Sequence, residues 1–163
     1  MSSVALLMNP TNPNVDVERM DAEAGARKLG LETVTLNARN AREIDTAFER
    51  LLNAKADGII TATDPIPLDR REQIVAFTNR HNVVGFVRQF AAVGGLLSYG
   101  PSISRMYRQA GEYVAQILRG ANPAELPVLQ PTQFELVINL KTANSFGLTV
   151  PLTLQATASE VIE

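Results

Sequence analysis

The sequence contains no cysteine, no tryptophan and a single histidine, His81. Without cysteine there is no disulfide, no thiolate nucleophile and no thiolate metal ligand. With one histidine, a metal would have to be held by carboxylates. Asp16, Glu18 and Asp21 read instead as a solvated first helical turn, where negative side chains are favourable, so neither a metal nor a cofactor is expected. Basic runs are also missing: 15 Lys and Arg against 17 Asp and Glu leave a formal charge of −2. A nucleic-acid partner needs several basic groups on one face, and none is expected. No apolar run approaches the roughly 20 residues that span a bilayer. Met1-Ser2-Ser3 leads directly into the short apolar run Val4 to Met8, without the basic region and length of a secretory signal. The chain therefore reads as soluble, with no membrane insertion and no export address.

What remains is an ordinary folded composition, 45% hydrophobic and 20% charged over 163 residues, enough for one core. Val4 to Met8, stopped by Asn9-Pro10, reads as a strand buried on both faces. Val17, Met20, Ala24 and Leu29 are spaced as on a helix that Gly30 ends. Glu32 to Leu36 supplies a second strand and Ala41 to Asn53 a second helix, with Ile44, Phe48, Leu51 and Leu52 on its inward stripe. Gly58 to Ala62 is a third strand, broken by Thr63-Asp64-Pro65; a helix from about Leu68 to His81 and a strand Val83 to Val87 follow. Three successive strand-to-helix units predict a parallel sheet covered on both faces by right-handed crossovers. Leu96 to Tyr99 predicts a fifth strand and Ser102 to Arg119 a helix with Tyr107, Ala110, Val114, Ile117 and Leu118 on its apolar stripe, closed by Gly120. Beyond an extended Pro-containing segment come a strand, Phe134 to Ile138, a short helix, Leu140 to Phe146, and a weak terminal helix over 152–163.

Several segments carry a more specific pattern in order and spacing. They are Leu6-Leu7-Met8-Asn9-Pro10-Thr11-Asn12-Pro13, Gly94-Gly95-Leu96-Leu97-Ser98-Tyr99-Gly100, the stretch from Ile117-Leu118-Arg119-Gly120 to Pro127, Gln130-Pro131-Thr132, and Phe134-Glu135-Leu136-Val137-Ile138-Asn139-Leu140-Lys141-Thr142-Ala143. Together they resemble the carboxy-terminal half of bacterial ABC-transporter substrate-binding proteins, of the type I-like periplasmic binding family. The resemblance implies a three-layer α-β-α fold with a mainly parallel, flavodoxin-like sheet. Residues 1–97 would form a second-lobe α/β core, and 98–163 a crossing helix, strand and helix that pack on the core or on a second copy. It further implies reversible binding of a small organic solute such as an amino acid, an ABC permease as partner in the full-length context, and a periplasmic or membrane-associated location; without a signal peptide, a cytoplasmic location is also compatible. The first lobe is expected to be absent, which would expose apolar surface on helix 102–119 and on 126–146 and favour a homodimer.

In open parallel sheets, ligands sit beyond the carboxyl ends of the strands. Asn9 and Asn12, Thr63 and Asp64, and Arg88 and Gln89 occupy such ends. The resemblance places them, with Tyr99, at the mouth of a cleft, Asp64 suited to a ligand ammonium and the forked Arg88 to a carboxylate. The competing reading gives Asn9 and Asp64 to loop and helix-start amides and Tyr99 and Tyr107 to packing. The family usually has an Arg-Glu pair where this chain has Arg88-Gln89, one charge fewer.

No catalytic residue is expected. Ser98 lies in Leu-Ser-Tyr-Gly rather than a nucleophile elbow, and His81 reads as the end of a helix. Gly25 to Gly30 falls within and after a helix, which excludes a nucleotide fingerprint. Two alternatives stand beside solute binding: a small flavodoxin-like hydrolase or transferase using Asp64, and a structural or interaction module.

Overall fold

In a computed structural model, described over residues 2–86 and 90–163, the most apolar run becomes the most buried strand. β1 (Ser3–Met8) has all six residues buried because it lies between two parallel neighbours, β2 (Glu32–Asn37) and β3 (Gly58–Thr61). A strand paired on both edges and covered on both faces selects a continuous apolar sequence instead of an alternating one. Among the described residues, seven strands form one sheet in the order β2-β1-β3-β4-β5-β6-β7. β4 is Val84–Phe86, β5 Leu97–Pro101, β6 Phe134–Asn139 and β7 Glu160–Ile162. The first five strands are parallel; β6 runs antiparallel to β5, and β7 parallel to β6.

Helix α1 (Val15–Lys28) carries the chain from β1 outward to β2, whereas α2 (Ala41–Asn53) carries it back past β1 to β3. Because crossovers are right-handed, that reversal puts the two helices on opposite faces, giving three layers. α3 (Pro65–Asp69) and α4 (Arg71–His81) then lead to β4. The main core forms on the α2 and α4 side, where Ala5, Leu7 and Ile59 of the sheet meet Ile44, Ala47, Phe48 and Leu51 of α2 and Ile74 and Val75 of α4. The Phe48 and Phe77 rings stack with centroids 3.8 Å apart, and His81 lies against Phe77 at 4.7 Å, so the lone histidine sits exposed at the end of α4 with its ring on the preceding turn.

Four details differ from the sequence expectations. The helix expected from Leu68 is two helices, because Asp64 caps a first turn with Pro65 and Pro67 in it and the backbone turns at Arg70 before α4 begins. On α2 the inward stripe runs through Ala47, while Leu52 faces out. α1 has the expected helical spacing, yet Val17, Met20 and Leu29 are exposed and Ala26 is its buried residue; the helix rests on its small side chains. The terminal segment is helical over α7 (Leu152–Thr157) and then becomes β7, a three-residue strand whose existence depends on its pairing with β6. The expected strand residue Val87 lies outside the described residues.

Close packing fixes Gly95. Its N–H donates to the Phe90 carbonyl at 2.7 Å, and a Cβ there would lie 2.7 Å from Phe90 Cβ and 2.8 Å from its carbonyl oxygen. Phe90 is fully buried, and two of the three atoms such a Cβ would meet belong to its backbone. Gly95→Ala is expected to cost about 1–3 kcal/mol, the range for overpacked cores, measured as a lower denaturation midpoint with an unchanged m-value.

α5 (Ile103–Leu118) behaves differently from every helix above. It is amphipathic, its N-terminus begins after Ser102 and Gly120 follows its end, but none of its residues is buried. Tyr107, Val114, Ile117 and Leu118 are exposed, as are Val128 and Leu129 on the segment that follows and Phe134 of β6. Tyr113 Oη donates to the Pro127 carbonyl at 2.5 Å and ties that segment to the helix. The apolar surface expected on 102–119 and 126–146 is thus open on α5 and at Val128, Leu129 and Phe134, whereas from Leu136 to Phe146 the apolar side chains are buried or half-buried. α6 (Leu140–Ser145) is anchored instead: the Asn139 side chain caps it through Thr142 N–H and donates to the Ala91 carbonyl. Among the described residues no helix is long and apolar enough to cross a membrane.

Candidate functional site

The reversal of strand order between β1 and β3 has a local consequence. The loops leaving these adjacent strands diverge, α1 to one face and α3 to the other, and a crevice opens between them at the carboxyl end of the sheet. Asn9, Thr11 and Asn12 follow β1; Thr63 and Asp64 follow β3. Both loops begin with side chains that bind their own backbone. Asn9 Oδ1 accepts from the Thr11 N–H and hydroxyl at 3.1 and 2.8 Å, and Asn12 Oδ1 accepts from Asn14 N–H at 2.9 Å. Asp64 Oδ1 accepts from Ile66 N–H at 2.9 Å as the cap of α3.

The same side chains then join the loops. Asn9 Nδ2 and Asn12 Nδ2 both donate to Asp64 Oδ2, at 3.0 and 2.9 Å, and Asn12 Nδ2 also reaches the Thr63 carbonyl at 3.2 Å. Asn9 and Asp64 are buried. A carboxylate offers about four lone-pair positions; three are filled here, all by neutral donors, and one on Oδ1 remains. Among the described residues no cation pairs with Asp64: the ion pairs there are Arg19 with Asp16 and Arg39 with Glu43, both on helix ends at the surface. A buried carboxylate without a counter-charge is costly unless something positive completes it.

Beside this cluster lies a cavity of about 440 Å³ lined by Ile60 to Pro65, Pro67, Leu68, Tyr99, Gly100 and Pro101. Its wall is largely apolar, with Asp64 and the two threonines as its polar points. Tyr99 is half exposed and stacks on Phe134, centroids 5.6 Å apart and planes 16° from parallel, so an aromatic ring held by a second ring lines the same cavity as the carboxylate. The structure therefore brings Asn9, Asn12, Thr63, Asp64 and Tyr99 together. Arg88 and Gln89 lie outside the described residues. The arrangement has room for a small molecule with a positive head and an apolar body, and among the described residues no group of three or more His, Asp or Glu side chains could hold a metal ion.

Sequence reasoning missed Glu18, which was assigned to a solvated helix turn. Its Oε2 accepts from the Thr63 N–H at 2.8 Å, bracing the β3 loop from the first turn of α1. No local signal marks it, since its partner is 45 residues away. It also missed the wall formed by Pro65, Pro67 and Leu68, hidden by the late start assigned to that helix. Glu18→Ala is expected to free the Thr63 amide, lowering its hydrogen-exchange protection by about tenfold, the loss of roughly one charge-assisted hydrogen bond; Glu18→Gln, which keeps an acceptor, should restore most of it.

Solved structures share this framework. A conserved domain protein from Vibrio cholerae superimposes with a TM-score of 0.88 at 25% identity, covering 98% of this chain and 54% of that one. An ABC domain from Streptococcus pneumoniae, solved in complex with L-Trp, gives 0.88 at 24% identity, covering 99% and 56%. A substrate-binding protein with adhesive properties from Clostridium difficile, in a ligand-free open form, gives 0.69 at 17% identity, covering 99% and 54%. The chain thus spans about half the length of the structures it matches. No curated protein matches it. The profile of the family described as ABC transporter substrate binding protein matches residues 1–162, nearly the whole chain, and with the fold and the crevice described above this chain belongs to the ABC transporter substrate-binding protein family.

Proposed function

We propose that this chain reversibly binds a small organic solute carrying an ammonium group, such as an amino acid, and that it corresponds to the carboxy-terminal half of a solute-binding component of an ABC importer. One observation carries the proposal. Asp64 is a buried carboxylate at the point where the strand order reverses, held in place by three neutral hydrogen bonds, with one acceptor position open among the described residues and no cation paired with it there. An ammonium supplies both the missing charge and the missing donor. Thr63 adds a polar contact, Asn9 and Asn12 hold the carboxylate, and Tyr99 with the proline-lined wall packs against the solute's apolar part. Arg88, by its place in the sequence, is the proposed partner of a solute carboxylate, with Gln89 beside it. Family membership argues for binding rather than catalysis.

On this reading, residues 1–97 form the solute-facing core and 98–163 the segment that meets another body. The unburied apolar face of α5 supports a second copy of the chain in that role, and a permease on the extracytoplasmic side is the partner that a solute-binding component serves. Thermal unfolding of extensively dialysed protein against a panel of amino acids, tryptophan among them, tests the binding. A saturable rise in Tm with at least one amino acid is expected, and a flat response across the panel contradicts the proposal.

A further inference from the structure

A second cavity, of about 590 Å³, opens on the other side of the β5 end. It is lined by Arg71, Ser98, Ser104, Glu135 and Glu160 together with apolar residues. Among the described residues it shares Tyr99, Gly100 and Pro101 with the Asp64 crevice. Strand register groups the lining: Ser98 pairs with Val137, Val137 with Glu160, and Gly100 with Glu135, so these residues share one face of the sheet.

Three features of this cavity bear on what it could hold, with Glu135 and Glu160 at its exposed rim, Arg71 half-buried and Ser98 buried. Ser98 is only 6% exposed, yet among the described residues its hydroxyl has no side-chain hydrogen bond, whereas buried hydroxyls are nearly always paired. Arg71 stands at the first position of α4, where the helix dipole disfavours a cation; its Nη1 donates to the Leu68 carbonyl at 3.1 Å, which leaves most of the fork unused. Arg71 makes no ion pair with Glu135 or Glu160 among the described residues, although all three line one cavity. Opposite charges on different elements lining one cavity, together with a buried hydroxyl that has no hydrogen bond among the described residues, match a ligand that carries both charges.

We propose that this cavity is a binding site for a small zwitterion. Arg71 receives its carboxylate, Glu135 or Glu160 its ammonium, and Ser98 Oγ donates a hydrogen bond to the carboxylate. The site is separate from the Asp64 crevice, and the inference does not rest on the function proposed for that crevice.

The test is an amide chemical-shift titration of the full chain with L-alanine and with 4-aminobutyrate, whose charges are differently spaced, and with propionate and butylamine as single-charge controls. Saturable shifts at Ser98, Ser104 and Glu135 with at least one zwitterion, and at least about tenfold weaker effects from both controls, are expected from two charge-assisted contacts. Arg71→Gln should weaken that binding at least about tenfold. Ser98→Ala, which removes a hydroxyl with no hydrogen bond among the described residues, should weaken it by about two- to tenfold with no loss of Tm. Asp64→Ala should leave it unchanged. Shifts confined to Thr63 and Asp64, equal responses to propionate, or no saturable response at millimolar concentration would each overturn the proposal, and the first of these would do so while leaving the Asp64 reading in place.

Discussion

Asp64→Ala is expected to abolish solute binding and to lower stability by about 2–4 kcal/mol. Two losses add in the stability. The cap on Ile66 N–H disappears, typically about 1 kcal/mol, and the Asn9 amide, buried against Oδ2, loses its acceptor, about 1–3 kcal/mol for an unsatisfied buried group. Asp64→Asn separates the two roles. An amide in that position either turns its NH2 toward the two asparagine donors or turns it toward Ile66 N–H, so one donor-donor clash is unavoidable, but most of the volume and one accepting oxygen remain. The asparagine variant should therefore unfold less easily than the alanine variant while binding no better. Denaturant unfolding and the amino-acid panel, run on both variants, check the two parts together; an alanine variant that binds like the parent would remove Asp64 from the site.

The second large effect concerns α5. A dimer built on its apolar face should give a solution mass twice that of the chain, falling to the monomer on dilution. Replacing Val114 and Ile117 together by aspartate should convert it to a monomer at all concentrations, because burying two unpaired carboxylates costs several kcal/mol. The same double variant should unfold at nearly the parent Tm in dilute solution, since no residue of α5 is buried within the chain. Core substitutions behave in the opposite way, losing stability before association. Light scattering over a concentration series reads the mass directly. A parent chain that is monomeric throughout contradicts the second-copy arrangement and leaves the open face of α5 to a different partner.

Why some of this was legible in sequence and some was not follows from the range of the interactions. β1 could be read because Val4 to Met8 is apolar without a break and Asn9-Pro10 stops it; both signals are local. α2 matched its expected ends, since Asn40 caps it through Glu43 N–H and its apolar stripe is continuous. β7 could not be read: Glu160-Val161-Ile162 has no pattern of its own and is a strand only because β6 offers an edge. α1 misleads for a related reason. Its large apolar residues and its buried face are different faces, and only the packed structure distinguishes them.

The site divides along the same line. Asn and Asp at the carboxyl ends of strands mark candidate residues in any parallel sheet, so Asn9, Asn12 and Asp64 could be selected from topology alone. What topology did not provide is their mutual engagement. The two asparagines donate to a single oxygen, while Ile66 N–H donates to the other, which makes Asp64 both a cap and, among the described residues, a carboxylate without an ion-pair partner, so the capping and the ligand readings of this residue are compatible. Glu18, reaching Thr63 across the crevice, had no signature other than its place in a helix turn.

The central claim is that Asp64 awaits an ammonium. Its most direct test is a calorimetric titration comparing the best-binding amino acid with its des-amino acid, the same molecule without the ammonium. The account predicts that the amino acid binds at least about tenfold more tightly to the parent chain, as one charge-assisted hydrogen bond would give, and that this advantage vanishes in Asp64→Asn. Equal affinity of the two compounds for the parent chain would contradict it.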